Sequence, residues 1–407
     1  MRILVVTQLF WPEVADYKNR KLASKLIKKG HEVTVLTCFP NYPLGRIYDG
    51  YKQKLRQWEF IDGIKVLRVP IYPDHSSSII KRVLHYTSFF LTCLIIGMTS
   101  VDKPDVIFVD ASPMTVGLTT GIYKLFGIPV FMDIVDLWPE AITSSDMASS
   151  SIVNRCANII AKISYSIASK IGVPTEGFKA ILLDRGLKED KVSVLPIWAD
   201  KNVFVKQDRD IEFGNRYNLF GKKCIIHAGN IGYFQAIEHV LYTAKLLRDH
   251  EDIHFVFVGG GRDQELMKGK CRTLGLNNVT FTGVYSKDKI PGILAWADAL
   301  LVSLRAHPYL SLNYPSKLSA YMAAGRPIIA FAEGEAQRLV DENELGFSCC
   351  PGRPKELART IINLFKLSDS ELEAMGLRAK KLLKQKYDED IILDQYIFEI
   401  ENLVGIN

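Results

Sequence analysis

Short, continuously apolar runs recur along the whole chain, with amphipathic helical stretches between them. In the first half the runs are MRILVVT, EVTVLT, IKVLRV, DVIFVD, VFMDIV and KIGVP, separated by helical patterns such as Arg20 to Lys29 and Ser112 to Phe126. In the second half they are CIIHAG, HFVFVG, VTFTGV, ALLVSL and PIIAFA. A strand that is apolar on both sides needs cover on both sides, so this rhythm predicts parallel sheets sandwiched by helices. Two such series in 407 residues predict an α/β chain of two doubly wound, Rossmann-like parallel-sheet domains. Pro196 to Phe204 reads as a link, which puts the boundary near residue 203 and gives domains 1–203 and 204–387. The final helix, residues 388–407, is free to cross back onto the first domain.

Seven cysteines, irregularly spaced and without a CxxC, argue against a disulfide framework or a structural zinc site. The opening MRILVV passes straight into a strand pattern, with no signal-peptide organisation, so a cytoplasmic protein is expected. Charge is uneven. Residues 1–100 hold 15 Lys+Arg against 7 Asp+Glu, while the rest hold 36 against 38. This excess is either plain solubility or the mark of an anionic partner, a phospholipid surface or a diphosphate. Ser78 to Ser100 opens on Lys81 and Arg82 and then turns apolar on nearly all sides. Its fully apolar part, about 10–14 residues, is short of the roughly 20 that span a bilayer. A buried core helix and an interfacial helix, with Tyr86, Phe89 and Phe90 at headgroup depth, both fit.

Chemistry is expected where strands end. CIIHA stops at a loop in which Gly229 and Gly232 bracket Asn230, placed to aim backbone amides at a phosphate or to make a plain turn. HFVFV runs into Gly259, Gly260 and Gly261 before a helix, but the spacing is not GxGxxG, so a dinucleotide site is weakly supported. In LNYPSKLSAYMAAGRPIIAF, Pro315 would start a helix, with Ser316 and Lys317 in its first turn. Lysine there opposes the helix dipole, and a bound anion would reverse that penalty. Arg305 follows ALLVSL. In a parallel sheet these turns share one edge, where they would converge on a diphosphate.

The first domain offers aromatic, proline-fixed loops at the same edge: LFWPEVADYKNR, CFPNYPLGRIYDGY and DLWPEA. Asp136 and Glu140 are candidate carboxylates, or helix caps, with Trp138 as an apolar wall. His31 reads as structural; His227 and His307 lie nearer the expected site. There is no GxSxG, no GxxxxGK[ST] and no metal-ligand spacing.

Taken in order, RILVVTQLFWPE, LIKKGHEVTVLTCFPNYPLGRIYDGY, DLWPE, AGNIG, FVGGG, VTFTGVYSKDKIP, ADALLVSL and PSKLSAYMAAGRPIIA resemble the family 4 retaining glycosyltransferases of the GT-B fold. Within these the chain is similar to the bacterial O-antigen and capsule enzymes that transfer fucosamine or N-acetylhexosamines to lipid-linked intermediates. The resemblance implies a UDP-sugar donor held by the second domain. Uracil would sit near Gly260 and the Val284–Tyr285 turn, and the diphosphate near Asn230, Gly232, Ser316 and Lys317, with Tyr233, Arg305 and Pro315 alongside. The acceptor, a polyprenyl-diphosphate-linked glycan, would meet Asp16, Arg20, Asn41, Tyr42, Trp138 and Glu140, with Asp136 orienting it. Neither metal nor other cofactor is implied, and no nucleic acid; the enzyme would be cytoplasmic and peripheral to the inner face of the membrane. Departures are specific. Leu312 and Ala320 stand where many relatives have the two glutamates of E-x7-E, and Tyr233 stands where many have arginine. Two other readings are compatible with the residues: a GT-B-fold UDP-N-acetylglucosamine epimerase, and a non-catalytic nucleotide-sugar-binding subunit.

Overall fold

The computed structural model describes residues 1–13, 17–76, 78–143, 151–198, 200 and 207–405. Two compact units divide the chain, Met1–Leu195 with Leu393–Asn407, and Pro196–Ile392. The expected boundary at residue 203 lies outside the described residues; the division falls at Leu195 and Pro196.

The first unit is built on an eight-stranded sheet: β1 (Arg2–Val6), β2 (Glu32–Cys38), β3 (Gln57–Ile61), β4 (Ile64–Val69), β5 (Val106–Asp110), β6 (Val130–Asp133), β7 (Lys170–Val173) and β8 (Val192–Val194). Its order is β3-β4-β2-β1-β5-β6-β7-β8, and every pairing is parallel except β3 with β4. That one antiparallel edge is a hairpin through Asp62 and Gly63, both at positive φ, the Asp-Gly signature of a two-residue turn. The stretch Ser112 to Phe126 forms two short helices, Thr115–Leu118 and Gly121–Leu125, instead of one. The Thr119 and Thr120 hydroxyls donate back to the carbonyls of Val116 and Gly117 at 2.6 and 2.8 Å, which competes with helix continuation.

The last helix, Glu389–Asn402, contributes its described residues from Leu393 onward to this first unit. Tyr396 donates to Asp133 at 2.8 Å, His31 meets Glu401 at 2.9 Å, and Lys25 and Lys170 pair with Asp394 and Glu399.

The second unit holds a six-stranded, wholly parallel sheet: β9 (Lys223–Ala228), β10 (Ile253–Val258), β11 (Val279–Gly283), β12 (Ala299–Ser303), β13 (Ile328–Phe331) and β14 (Gly346–Cys349), ordered β11-β10-β9-β12-β13-β14. Alternate residues feed two cores. Ile226, Val256, Val258, Leu300 and Val302 pack on one face, and Ile225, Phe255, Phe257, Leu301 and Ile329 on the other. Both faces are therefore covered, as the continuous apolar runs require. The strand order reverses between β9 and β12, and such a reversal opens a crevice at the carboxyl ends of an open sheet.

Candidate active site

Three loops of the second unit meet at that reversal. The β9 loop lies against the β10 loop: the Gly229 amide donates to Val258 and the Ile231 amide to Gly260, each at 2.8 Å. Contact is so close that a Cβ on Gly259 (φ +129°) would stand 2.0 Å from the Gly229 carbonyl oxygen. A Cβ on Gly261 would stand 2.3 Å from the Asn230 side chain. Glycine is needed here for backbone approach, which explains the triplet without a dinucleotide spacing. Gly260 also faces Val284, whose side chain would be 3.0 Å from an added Cβ, and Val284 is 80% exposed. Tyr285 turns the other way, its hydroxyl 3.2 Å from that of Tyr217.

The third contributor is the helix Lys317–Ala324, with Ser316 as its uncapped N-cap. Tyr321 pins it under β9, its hydroxyl accepting from the Ala228 amide at 2.8 Å. This places the Lys317 ammonium 3.1 Å from His227 Nε2 and within 3.3 Å of where a Cβ on Gly229 would be. His227 Nδ1 lies 3.2 Å from the Leu301 carbonyl and Nε2 3.4 Å from that of Asn230; with the proton on Nδ1, Nε2 accepts from Lys317. Burial, followed by the neighbouring ammonium, pushes the His227 imidazole well below its usual range, so it is neutral. Burial alone brings Lys317 down to about 7. Among the described residues no carboxylate faces this ammonium. The residue as a whole keeps partial exposure, so a ligand can reach it.

Arg305 stacks on the Tyr233 ring at 4.1 Å, donates to the Tyr233 carbonyl at 3.2 Å and pairs with Glu238 at 3.2 Å. Glu238 is shared with Lys270 at 2.7 Å. Arg305 thus shapes the β9 loop and has only part of its charge available. Leu312 and Ala320 bring no carboxylate. His307 caps a short helix, its ring accepting from the Tyr309 amide at 3.1 Å. The structure therefore brings Asn230, Gly232, Gly260, Val284 and Lys317 around one loop, joins Tyr233 to Arg305 beside it, and leaves Tyr285 facing the core.

In the first unit the two Trp-Pro-Glu segments do the same structural job. Buried Glu13 accepts from the amides of Phe10, Asn41 and Tyr42 at 3.2, 2.7 and 2.7 Å, tying the loop after β1 to the loop after β2. Arg68 completes the clamp by donating to the Cys38 carbonyl at 3.0 Å and to the Trp11 carbonyl. Glu140 pairs with Arg185, which also holds the Trp138 carbonyl at 2.9 Å and the Tyr165 hydroxyl at 2.8 Å. Asn41 is buried and takes His75 Nε2 on its side-chain oxygen at 3.2 Å, while Tyr42 stays exposed. Arg20 lies over the Trp11 ring at 4.7 Å. Asp136 is exposed on the loop after β6, and Trp138 is buried behind it. Asp16 lies outside the described residues.

Residues 18–198 match the family model described as "Glycosyl transferase 4-like domain", and residues 222–366 match "Glycosyl transferases group 1". The chain is a glycosyltransferase of the GT-B fold. It is 27% identical over 349 residues to the putative colanic acid biosynthesis glycosyl transferase WcaI of Escherichia coli (strain K12), covering 82% of this chain and 84% of that one. It is 27% identical over 299 residues to the probable glycosyltransferase WbjE of Pseudomonas aeruginosa, covering 72% and 74%. Among solved structures, Anabaena Alr3699/HepE in complex with UDP and glucose superposes with a TM-score of 0.72 at 16% identity over 99% of this chain and 100% of that one. Sucrose-phosphate synthase from Thermosynechococcus elongatus gives 0.76 at 15% identity, over the full length of both chains.

Two groups in this glycosyltransferase escaped the motif reading. Lys18, at the start of the helix Tyr17–Lys28, pairs with buried Asp133, and beside it Asn19 donates to Asp110 at 2.7 Å. His85, buried in the helix Ile79–Thr92, lies beside Gln8 and 2.7 Å from the Tyr72 carbonyl. Lys18, Asp110 and Asp133 were visible as a basic helix onset and as aspartates closing two apolar strands. His85 carried no signal, because a lone histidine on an apolar helix is usually a satisfied core residue.

Proposed function

We propose that this glycosyltransferase moves a sugar from a UDP-sugar to a lipid-linked acceptor during assembly of a bacterial surface polysaccharide, with retention at the anomeric carbon and without a metal ion. The observation that carries the reading is the Lys317 ammonium, buried against neutral His227 beneath Gly229 with no carboxylate on it among the described residues. A buried cation without a counter-ion is costly, and a diphosphate at the exposed N-terminus of the Lys317–Ala324 helix would supply one. The Asn230 to Gly232 backbone and Ser316 are placed beside that position. As the sugar–phosphate bond breaks, charge gathers on the diphosphate, and a preorganised cation with helix amides stabilises it there. In this reading the leaving phosphate takes the proton of the attacking hydroxyl on the same face, Asp136 orients that hydroxyl, and uracil lies by Gly260 and Val284.

The donor proposal draws support from the UDP seen in the HepE complex, and the polysaccharide assignment from the name of WcaI. The membrane part rests on the helical stretch Ile80–Gly97, which is long and apolar enough to cross a bilayer and is only 28% buried. One face packs into the unit through His85, Phe89 and Cys93 and the other carries Ile80, Val83, Leu84 and Ile95 into solvent, which suits docking at the cytoplasmic face of the inner membrane. The test is incubation with UDP-, GDP- and dTDP-sugars and a polyprenyl-diphosphate-linked acceptor. UDP release that requires the lipid-linked acceptor is expected; no release with any donor contradicts the proposal.

A further inference from the structure

A cavity of about 330 Å³ opens in the first unit between the helices Ile79–Thr92 and Ser151–Ile167. Val83, Tyr86, Cys156 and Ile160 form its walls, Trp138 lines it, and Arg82 is the one charged lining residue among the described residues. Neither helix contains an acidic residue. Their charges are Lys81, Arg82, Arg155 and Lys162. Both helices carry apolar side chains into solvent: Ile80, Val83 and Leu84 on one, Ile152, Ile159 and Ile163 on the other. An apolar slot with a cationic mouth between such faces fits an anionic amphiphile with a long hydrocarbon chain.

We infer that this groove seats the chain of the lipid-linked acceptor, with Arg82 against its diphosphate. The inference rests on the acceptor class proposed above. Tyr86 links groove and loop: burial raises its phenol, with Arg82 and Asp136 as the charges acting on it, so all three share one neighbourhood. Trp138, two residues beyond Asp136, also lines the groove, so the groove adjoins the loop of the proposed acceptor-orienting carboxylate. At roughly 30 Å³ per water-sized group, the cavity holds about ten carbons, or two isoprene units.

Cys156 makes the groove testable, because it is an exposed thiol in the wall. Alkylation of the full chain with N-ethylmaleimide is followed at the Cys156 peptide by mass spectrometry, with farnesyl diphosphate kept below its micelle concentration. Farnesyl diphosphate is expected to slow Cys156 alkylation at least tenfold, and inorganic diphosphate to leave it unchanged. Thr87→Trp, which fills the groove from an exposed position, should abolish protection while circular dichroism stays native. Arg82→Ala should weaken protection by farnesyl diphosphate but not by farnesol. Absence of protection overturns the inference, as does equal protection by anionic phospholipid vesicles lacking any isoprenoid, which would mark a bilayer contact only. UDP release is read separately. Protection without UDP release leaves the groove standing and removes the transferase reading, while UDP release with unprotected Cys156 removes the groove alone.

Discussion

Lys317 is legible in the sequence as an anomaly, a lysine in a first helical turn; what makes it consequential is His227, ninety residues away in the chain and 3.1 Å away in space. No single-sequence pattern links the two, because the contact depends on Tyr321 fixing the helix under β9. Removing the ammonium in Lys317→Ala is expected to weaken UDP-sugar binding by about 1–3 kcal/mol, the scale of a charge-assisted contact, as read by calorimetry. Unchanged affinity would take Lys317 out of the site. Its depressed value also sets a stability trend. The unfolded lysine keeps its proton to about pH 10.4, whereas the folded one releases it near 7. The unfolded state binds more protons across that window, so this group favours folding increasingly as pH rises from 7 to about 10, and the gain is lost as pH falls back through 7. Gly259 reads in the sequence as part of a glycine turn at a strand end, and the Gly229 carbonyl is what constrains it. Gly259→Ala must move that carbonyl and adopt a φ of +129°, so a loss of roughly 1–3 kcal/mol in chemical denaturation is expected, with weaker donor binding. Wild-type stability in that variant would mean the two loops part easily.

At the scale of elements, continuously apolar strands were legible and the half-buried edge strands β3, β8 and β14 were not. The apolar runs of both halves matched strands, but β3, β8 and β14 lie at sheet edges, are buried only in part and so carry no continuous apolar run. The Trp-Pro-Glu loops were legible as rigid. Glu140 read as a candidate carboxylate or a helix cap and Glu13 was not singled out; the structure ties both up, Glu13 on three amides and Glu140 on Arg185. A carboxylate's role depends on which cation the fold delivers to it, and Arg68 and Arg185 arrive from distant segments. The helix Ile79–Thr92 belongs to this scale too. Val83 and Leu84 are 57% and 49% exposed, so each is expected to contribute about 1 kcal/mol when an apolar phase covers it. Lys81 adds about 1 kcal/mol near an anionic surface. Val83→Glu with Leu84→Glu should therefore lower binding to anionic vesicles in flotation by at least tenfold, and added salt should weaken the wild type. Vesicle binding unaffected by the double substitution would place the membrane contact elsewhere.

The two-unit, doubly wound architecture follows from repeated apolar strands alternating with helices, and the strand orders supply what the sequence pattern lacked, the reversal points. The second unit reverses between β9 and β12, beside the loops that carry Asn230 and Arg305. The return of the last helix to the first unit makes a further prediction. Tyr396→Phe removes the hydrogen bond to Asp133, and a loss of about 1–3 kcal/mol is expected. Hydrogen exchange should show that loss in peptides of residues 1–195 and leave those of 196–392 protected; equal loosening of both units would contradict the assignment of the helix. The central claim is that the Lys317 ammonium waits for a diphosphate, and binding linked to protons tests it most directly. UDP-N-acetylglucosamine, or whichever UDP-sugar raises the melting temperature most, is titrated by calorimetry from about pH 6 to about pH 9, across the Lys317 value. A bound diphosphate holds the proton on Lys317, so affinity should be flat below 7, fall by up to about tenfold per pH unit above it, and lose that slope in Lys317→Met. A wild-type affinity independent of pH, or a slope that survives in Lys317→Met, would contradict the account.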